Sequence, residues 1–136
     1  MMRRFLLIGL VLHVFTLTSY RSNAESDSMQ RVTAEQVAEF LKGHPLWTLK
    51  EGKLSCLFRL KNGFKGAIAF AQDLVEPADH INHHPDLQIS YNRVTVTLTT
   101  HDVGGLTAAD LKLADIIHRI YADRYEISSP AAQGKR

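Results

Sequence analysis

Residues 79–86 read DHINHHPD, which places His80, His83 and His84 within five positions beside Asp79 and stops at Pro85. Imidazole alone among unperturbed side chains changes charge near neutral pH, so such a cluster suits proton transfer. A second chemistry has the same parts: histidines spaced i, i+4 (His80 and His84) with a third from a distance, such as His101, can make an open zinc site. A third reading needs no chemistry, since histidines gather at helix C-termini where the helix dipole favours their cationic form. Two further acids are weighed with them. Asp79 taken alone is an exposed helical acid, and Asp110 at the third position of a helix needs no role beyond capping it. Spacing by itself leaves all three readings open.

The elements that must position these residues are legible from periodicity. Thr33 and Gln36 in TAEQVAEFL form a capping box for a helix over 33–41, with Val37, Phe40 and Leu41 as its apolar stripe, Gly43 at its C′ position and Pro45 forbidding continuation. Strands at 46–51 and 53–60 turn at Gly52, and Leu54, Cys56, Phe58 and Leu60 share one face by the period of two. Cys56 there reads as a small core hydrophobe. Apolar residues at Phe64, Ala67, Ile68, Ala71, Val75, Ala78 and Ile81 predict a helix over 63–83, kinked near Glu76 by Pro77 and ended by Pro85, with the three histidines at its C-terminus. Strands at 87–91 and 94–101 turn at Asn92-Arg93; Val94, Val96 and Leu98 take one face, and Thr95, Thr97, Thr99 and His101 the other. After Gly104-Gly105, Thr107 caps a last helix with Asp110 at N3, Leu106 stapling to Leu111, and Leu113, Ala114, Ile117, Ile120 and Tyr121 as its buried side. Helix, hairpin, helix, hairpin, helix is an α+β fold in two layers: three helices on one face of a four-stranded antiparallel sheet. The fourth strand and the second helix then bring His101 toward His83 and His84.

Bulk properties narrow the classes. The 136 residues suffice for one domain, and 45% hydrophobic with 22% charged residues is a globular composition. A single cysteine excludes an intrachain disulfide framework and a Cys-rich zinc site. Residues 1–24 carry Arg3, Arg4 and Arg21 and no acid, with an apolar run from Phe5 to Leu17 and small residues at Ser22 to Ala24, the pattern of an export leader. That run is shorter than the roughly 20 residues a membrane span needs, so no membrane association is expected after leader removal. On this reading the mature protein is exported; alternatively translation begins at Met29 and the protein is cytoplasmic, and a transit peptide is a third choice. Without the three leader arginines, 13 Lys+Arg stand against 14 Asp+Glu, a net of −1 that offers no electrostatic case for nucleic-acid binding. The chain thus divides into a leader at 1–24, a domain at 25–127 and a polar tail at 128–136.

The stretch from Asp79 to Ala114, DHINHHPDLQISYNRVTVTLTTHDVGGLTAADLKLA, resembles the signature of the pterin-4a-carbinolamine dehydratase family: an acid, three residues, His-His-Pro, then a distant Thr-His and an Asp nine residues on. The resemblance extends more loosely from Thr33 to Tyr121. It implies the α+β fold above and a homodimer or homotetramer assembled through sheet and helix surfaces. It also implies the dehydration of 4a-hydroxytetrahydrobiopterin to quinonoid dihydrobiopterin in tetrahydrobiopterin recycling, with no metal and no organic cofactor. By the same resemblance His83 and His101 are the general acid and base, His84 chiefly binds the pterin, and Asp79 and Asp110 orient the site. Asp79 stands where the family pattern usually has the longer glutamate, Pro77 falls inside the active-site helix, and His80 is outside the pattern and reads as solvent-facing. In animals the family also resembles a dimerisation cofactor of a homeodomain transcription factor, so a protein-binding module without turnover is the competing reading. A zinc hydrolase is the third.

Overall fold

A computed structural model describes residues 29–126. The expected leader and the whole of the expected tail lie outside the described residues. Helix α1 (Ala34–Gly43) starts at Thr33, whose hydroxyl accepts from Gln36 N–H while the Gln36 side chain takes Thr33 N–H at 2.7 Å, the capping box its sequence spells. Gly43 is the last helical residue, not the residue after it, and His44 forms the cap.

Strands β1 (Trp47–Lys50) and β2 (Lys53–Arg59) form the first hairpin, turning through Glu51 and Gly52, both at positive φ. Strands β3 (Asp86–Ser90) and β4 (Arg93–Leu98) form the second. Its turn is Tyr91-Asn92, one residue earlier than Asn92-Arg93, because Ser90 and Arg93 close the ladder and Tyr91 takes the left-handed conformation at φ 54°. Strand β2 pairs antiparallel with β4, giving the order β1-β2-β4-β3 with the second hairpin's first strand at an edge. Strand β4 stops at Leu98, so His101 does not extend its outward face but opens a 3₁₀ turn, His101–Val103.

One core fills the space between the sheet and the helices. Leu54, Cys56, Phe58 and Leu60 from one hairpin and Val94, Val96 and Leu98 from the other are all buried, as alternation requires. Phe58 sits at the centre, with ring centroids 5.0 Å from Phe70, 4.8 Å from Tyr121 and 5.9 Å from Trp47. Each such buried side chain contributes about 1.5–3 kcal/mol. Burial also pushes the Cys56 thiol up to about 12, so it packs rather than reacts.

The second helix departs most from expectation. It is two helices, α2 (Gly63–Asp73) and α3 (Val75–Ile81), broken at Leu74. Pro77 lacks an N–H for the Asp73 carbonyl and its ring collides with that carbonyl, so the break falls three to four residues before the proline instead of at Glu76. The buried line is Ala67, Phe70, Leu74 and Ala78, while Phe64, Ile68 and Val75 are exposed. A Cβ on Gly66 would lie 1.8 Å from the Lys61 carbonyl, so the turn that leads into α2 closes this tightly only against a glycine. Helix α3 ends at Ile81 because Asn82 adopts the left-handed conformation, φ 49°. His83 and His84 therefore follow the helix rather than ride on it, and His80 and His84 do not share a helical face.

Helix α4 (Ala108–Arg124) closes the layer, with Thr107 as N-cap. At its far end Tyr125 donates to Asp73 Oδ2 at 2.6 Å and Arg124 does so at 3.1 Å. The Tyr125 bond, followed by the Arg124 pair, holds the Asp73 carboxyl below its ordinary range. Burial first and Asp73 second push Tyr125 up to about 12. A depressed carboxyl stabilises the fold above its unfolded pKa of about 3.9 and loses that contribution as pH falls through the lower folded value. A raised phenol stabilises the fold up to its ordinary value near 10 and loses that as pH rises toward 12. Tyr125→Phe should therefore lower the urea midpoint at pH 7 and shrink its fall between pH 7 and pH 3. An equal fall in both proteins would refute the coupling.

Candidate active site

The end of α3 is built by backbone geometry. With Asn82 left-handed, His83 N–H reaches back to the Ala78 carbonyl at 3.0 Å and Asn82 N–H to Asp79 at 3.1 Å, the paired bonds of a Schellman ending. That ending turns the His83 ring toward the start of α4. There His83 Nε2 lies 2.7 Å from Asp110 Oδ1, across 27 residues of sequence.

Asp110 is fully buried, and its two oxygens have different work. Oδ2 accepts from Thr107 N–H at 2.8 Å and from the Thr100 hydroxyl at 2.7 Å, and the Thr107 hydroxyl lies 2.9 Å from that of Thr100. Oδ1 is left for His83. A carboxylate here can only accept, so it draws the proton of His83 onto Nε2 and leaves Nδ1 as the ring's basic nitrogen. A buried carboxylate is tolerable because it is fully hydrogen-bonded. Its capping role and its hold on His83 are one arrangement, so the capping account of Asp110 is true and incomplete.

Thr100 joins the second half of the site. The residue after it is His101, exposed at the start of the 3₁₀ turn, so one carboxylate links the peptide that carries His101 to the ring of His83. The turn is held by the mutual bonds of Thr100 and Gly105 (2.8 and 3.3 Å) and by Gly104 N–H on the His101 carbonyl at 3.0 Å. Gly104 needs its lack of a Cβ, since φ is +61°.

The third histidine stands apart. His84 Nε2 is 2.9 Å from Asp79 Oδ1, and both side chains are more than half exposed. Asp79, although shorter than glutamate, thus reaches a histidine; it is His84. His80 is exposed. Among the described residues no three His, Cys, Asp or Glu side chains converge as a ligand set, so His80, His84 and His101 do not assemble the zinc pattern. No helix among those residues is long and apolar enough to cross a membrane.

The site is graded in exposure: Asp110 is fully buried, the His83 side chain is 13% exposed, and His84, Asp79 and His101 are exposed. A cavity of about 570 Å³ lies elsewhere, lined by Lys61, Asn62, Lys65, Gly66, Ala69, Arg124 and Tyr125, and no histidine borders it. Two residues of the site were not singled out from sequence. Thr100 lies in the visible Thr-His pair, but its bond to Asp110 spans ten residues. Arg31, whose guanidinium donates to the carbonyls of Val103 (Nε, 2.7 Å) and Gly104 (3.0 Å), has no local signature at all.

Comparison with known proteins places nearly the whole of this fold in one family. Residues 30–120 match the family model described as "Pterin 4 alpha carbinolamine dehydratase". A protein of Nostoc punctiforme named "Putative pterin-4-alpha-carbinolamine dehydratase" is 47% identical over 91 residues, covering 67% of this chain and 97% of its own. One of Picosynechococcus sp. under the same name is 49% identical over 84 residues, covering 62% and 90%. A solved structure titled "transcriptional coactivator/pterin dehydratase" from Brucella melitensis superposes with a TM-score of 0.63 at 31% identity, covering 67% of this chain and 98% of that one.

Proposed function

The chain belongs to the pterin 4 alpha carbinolamine dehydratase family, and we propose that it is itself a dehydratase, converting 4a-hydroxytetrahydrobiopterin to quinonoid dihydrobiopterin and water in tetrahydrobiopterin recycling, with His83 and His101 as its proton-transfer pair. The observation that carries this reading is the Asp110 carboxylate, bonded on one side to His83 and on the other to the residue before His101.

Loss of the C4a hydroxyl breaks a C–O bond and needs a proton on the departing oxygen, while the neighbouring ring nitrogen gives up its own proton to complete the C=N bond. The two transfers balance: one proton is delivered, one is removed, and water leaves. Two imidazoles suit the task because each exchanges a proton near neutral pH. Asp110 keeps His83 in one tautomer with Nδ1 free and stabilises the cation formed when that nitrogen takes a proton. His84, steadied by Asp79, is placed outside this pair and serves to bind the pterin.

Titration of the purified protein with 7,8-dihydrobiopterin, a pterin that lacks the C4a hydroxyl and is not turned over, tests the site. The imidazole Cε1–H signals of His83, His84 and His101 should shift together, and those of His44 and His118 should not. Shifts absent from His83 and His101 would remove the reading. The Brucella protein's description as a transcriptional coactivator favours a second reading, a protein-binding role; stoichiometric capture of a protein partner, with those histidine signals unmoved by pterin, is the result it requires.

A further inference from the structure

Two features near the site lie outside the chemistry just described: the stretch before α1 and the paired glycines after His101. Arg31 and Thr107 form an isolated antiparallel bridge, and Val32 N–H donates to the Leu106 carbonyl at 2.9 Å. The chain before the first helix is thereby laid along the entry to α4. From that position the Arg31 side chain crosses to the His101 turn, where Nε donates to Val103 O at 2.7 Å and the terminal nitrogen to both Val103 O and Gly104 O. The glycines make room for it. A Cβ on Gly104 would lie 3.1 Å from the guanidinium, and one on Gly105 3.2 Å from Nε, both closer than side chains ordinarily sit. A planar fork of donors matches two successive carbonyls in a way that a single ammonium does not.

We propose that Arg31 is a positioning residue for His101: its guanidinium clamps the 101–105 turn from outside, while Thr100 and Asp110 hold the same turn from within. The inference rests on the dehydratase reading for its effect on rate, but its geometric content stands without it. His101 itself is exposed and has no side-chain hydrogen bond to another described residue, so the backbone beneath it sets the direction of its Cα–Cβ bond and with it the region its ring can reach. Bonds to a charged donor are the strong ones at such a turn. Displacing a proton-transfer group by about 1 Å can cost on the order of 10²-fold in rate. Both a chain cut after Ala24 and one begun at Met29 retain this clamp.

The test uses Arg31→Met, which keeps the stem and removes the donors, beside Arg31→Lys, which restores a single charged donor nitrogen without the planar fork. In Arg31→Met, kcat for 4a-hydroxytetrahydrobiopterin should fall about tenfold or more with KM within about twofold, and Arg31→Lys should recover part of the loss. A merely structural role would lower the melting temperature without dividing kcat from KM. The His101 Cε1–H signal should move or broaden in Arg31→Met while that of His83 stays. Wild-type kcat together with an unmoved His101 signal overturns the proposal. If the wild-type protein shows no turnover, the dehydratase reading fails on its own and the His101 signal decides this one: movement sustains the clamp, and no movement refutes it. Should Arg31→Met not fold, Arg31→Lys carries the same two readouts.

Discussion

A protein carrying His83→Gln and His101→Ala together should lose about 10³-fold or more in kcat and approach the uncatalysed rate of carbinolamine decay. Positioned proton transfer contributes about 10²- to 10⁴-fold per group, and groups acting as a pair are not additive, so the double variant should cost little more than the worse single one. Glutamine is chosen at position 83 because its amide can still donate to Asp110 Oδ1, the bond His83 makes at 2.7 Å, and so spares the buried carboxylate an unmet acceptor. His101 is exposed, so its removal takes little from the core. The far-ultraviolet circular dichroism and the urea midpoint should stay near those of the parent. Full turnover in a folded double variant would dismiss the histidine pair.

Asp110→Asn separates geometry from electrostatics. The amide oxygen can take over the bonds from Thr107 N–H and Thr100, which leaves the amide nitrogen facing His83 Nε2. A donor there forces Nε2 to accept, moves the ring proton to Nδ1 and removes the basic nitrogen from the working side of the ring. The same tautomer reversal in a Ser-His-Asp triad costs about 10⁴-fold. Here a loss of roughly 10²- to 10⁴-fold in kcat is expected, with KM changed far less, and about 1–3 kcal/mol of stability lost with the charge. Unchanged kcat would show that the Asp110–His83 pair is structural. In that event Asp110 would be only the cap that its place in the sequence suggested.

The fold was readable wherever local chemistry decides it. Thr33 with Gln36 and Thr107 with Asp110 mark helix starts because the bonds span three residues, and Leu54, Cys56, Phe58 and Leu60 mark an inner face because alternation leaves little choice. The second helix misled for a reason equally physical. Phe64, Ile68 and Val75 have the larger apolar area, yet Ala67, Phe70, Leu74 and Ala78 form the buried line, and which stripe of an apolar helix meets the sheet is not written in hydrophobicity alone. The helix end was set too late because Pro85 is the stronger punctuation on paper, whereas Asn82 in the left-handed conformation ends α3 first. The candidates His83, His84, His101, Asp79 and Asp110 can all be named from type, spacing and family resemblance. Their pairing cannot. That Asp110 serves a cap and a histidine at once, that Asp79 meets His84, and that Arg31 reaches Val103 across 72 residues are outcomes of packing, which no local pattern encodes.

The most direct measurement mixes the purified protein with freshly generated 4a-hydroxytetrahydrobiopterin and follows the ultraviolet decay of the carbinolamine against a protein-free blank. Decay that accelerates in proportion to protein concentration and yields the quinonoid dihydropterin is the predicted result. Decay no faster than the blank, from a protein whose histidine signals report a folded site, would contradict the account.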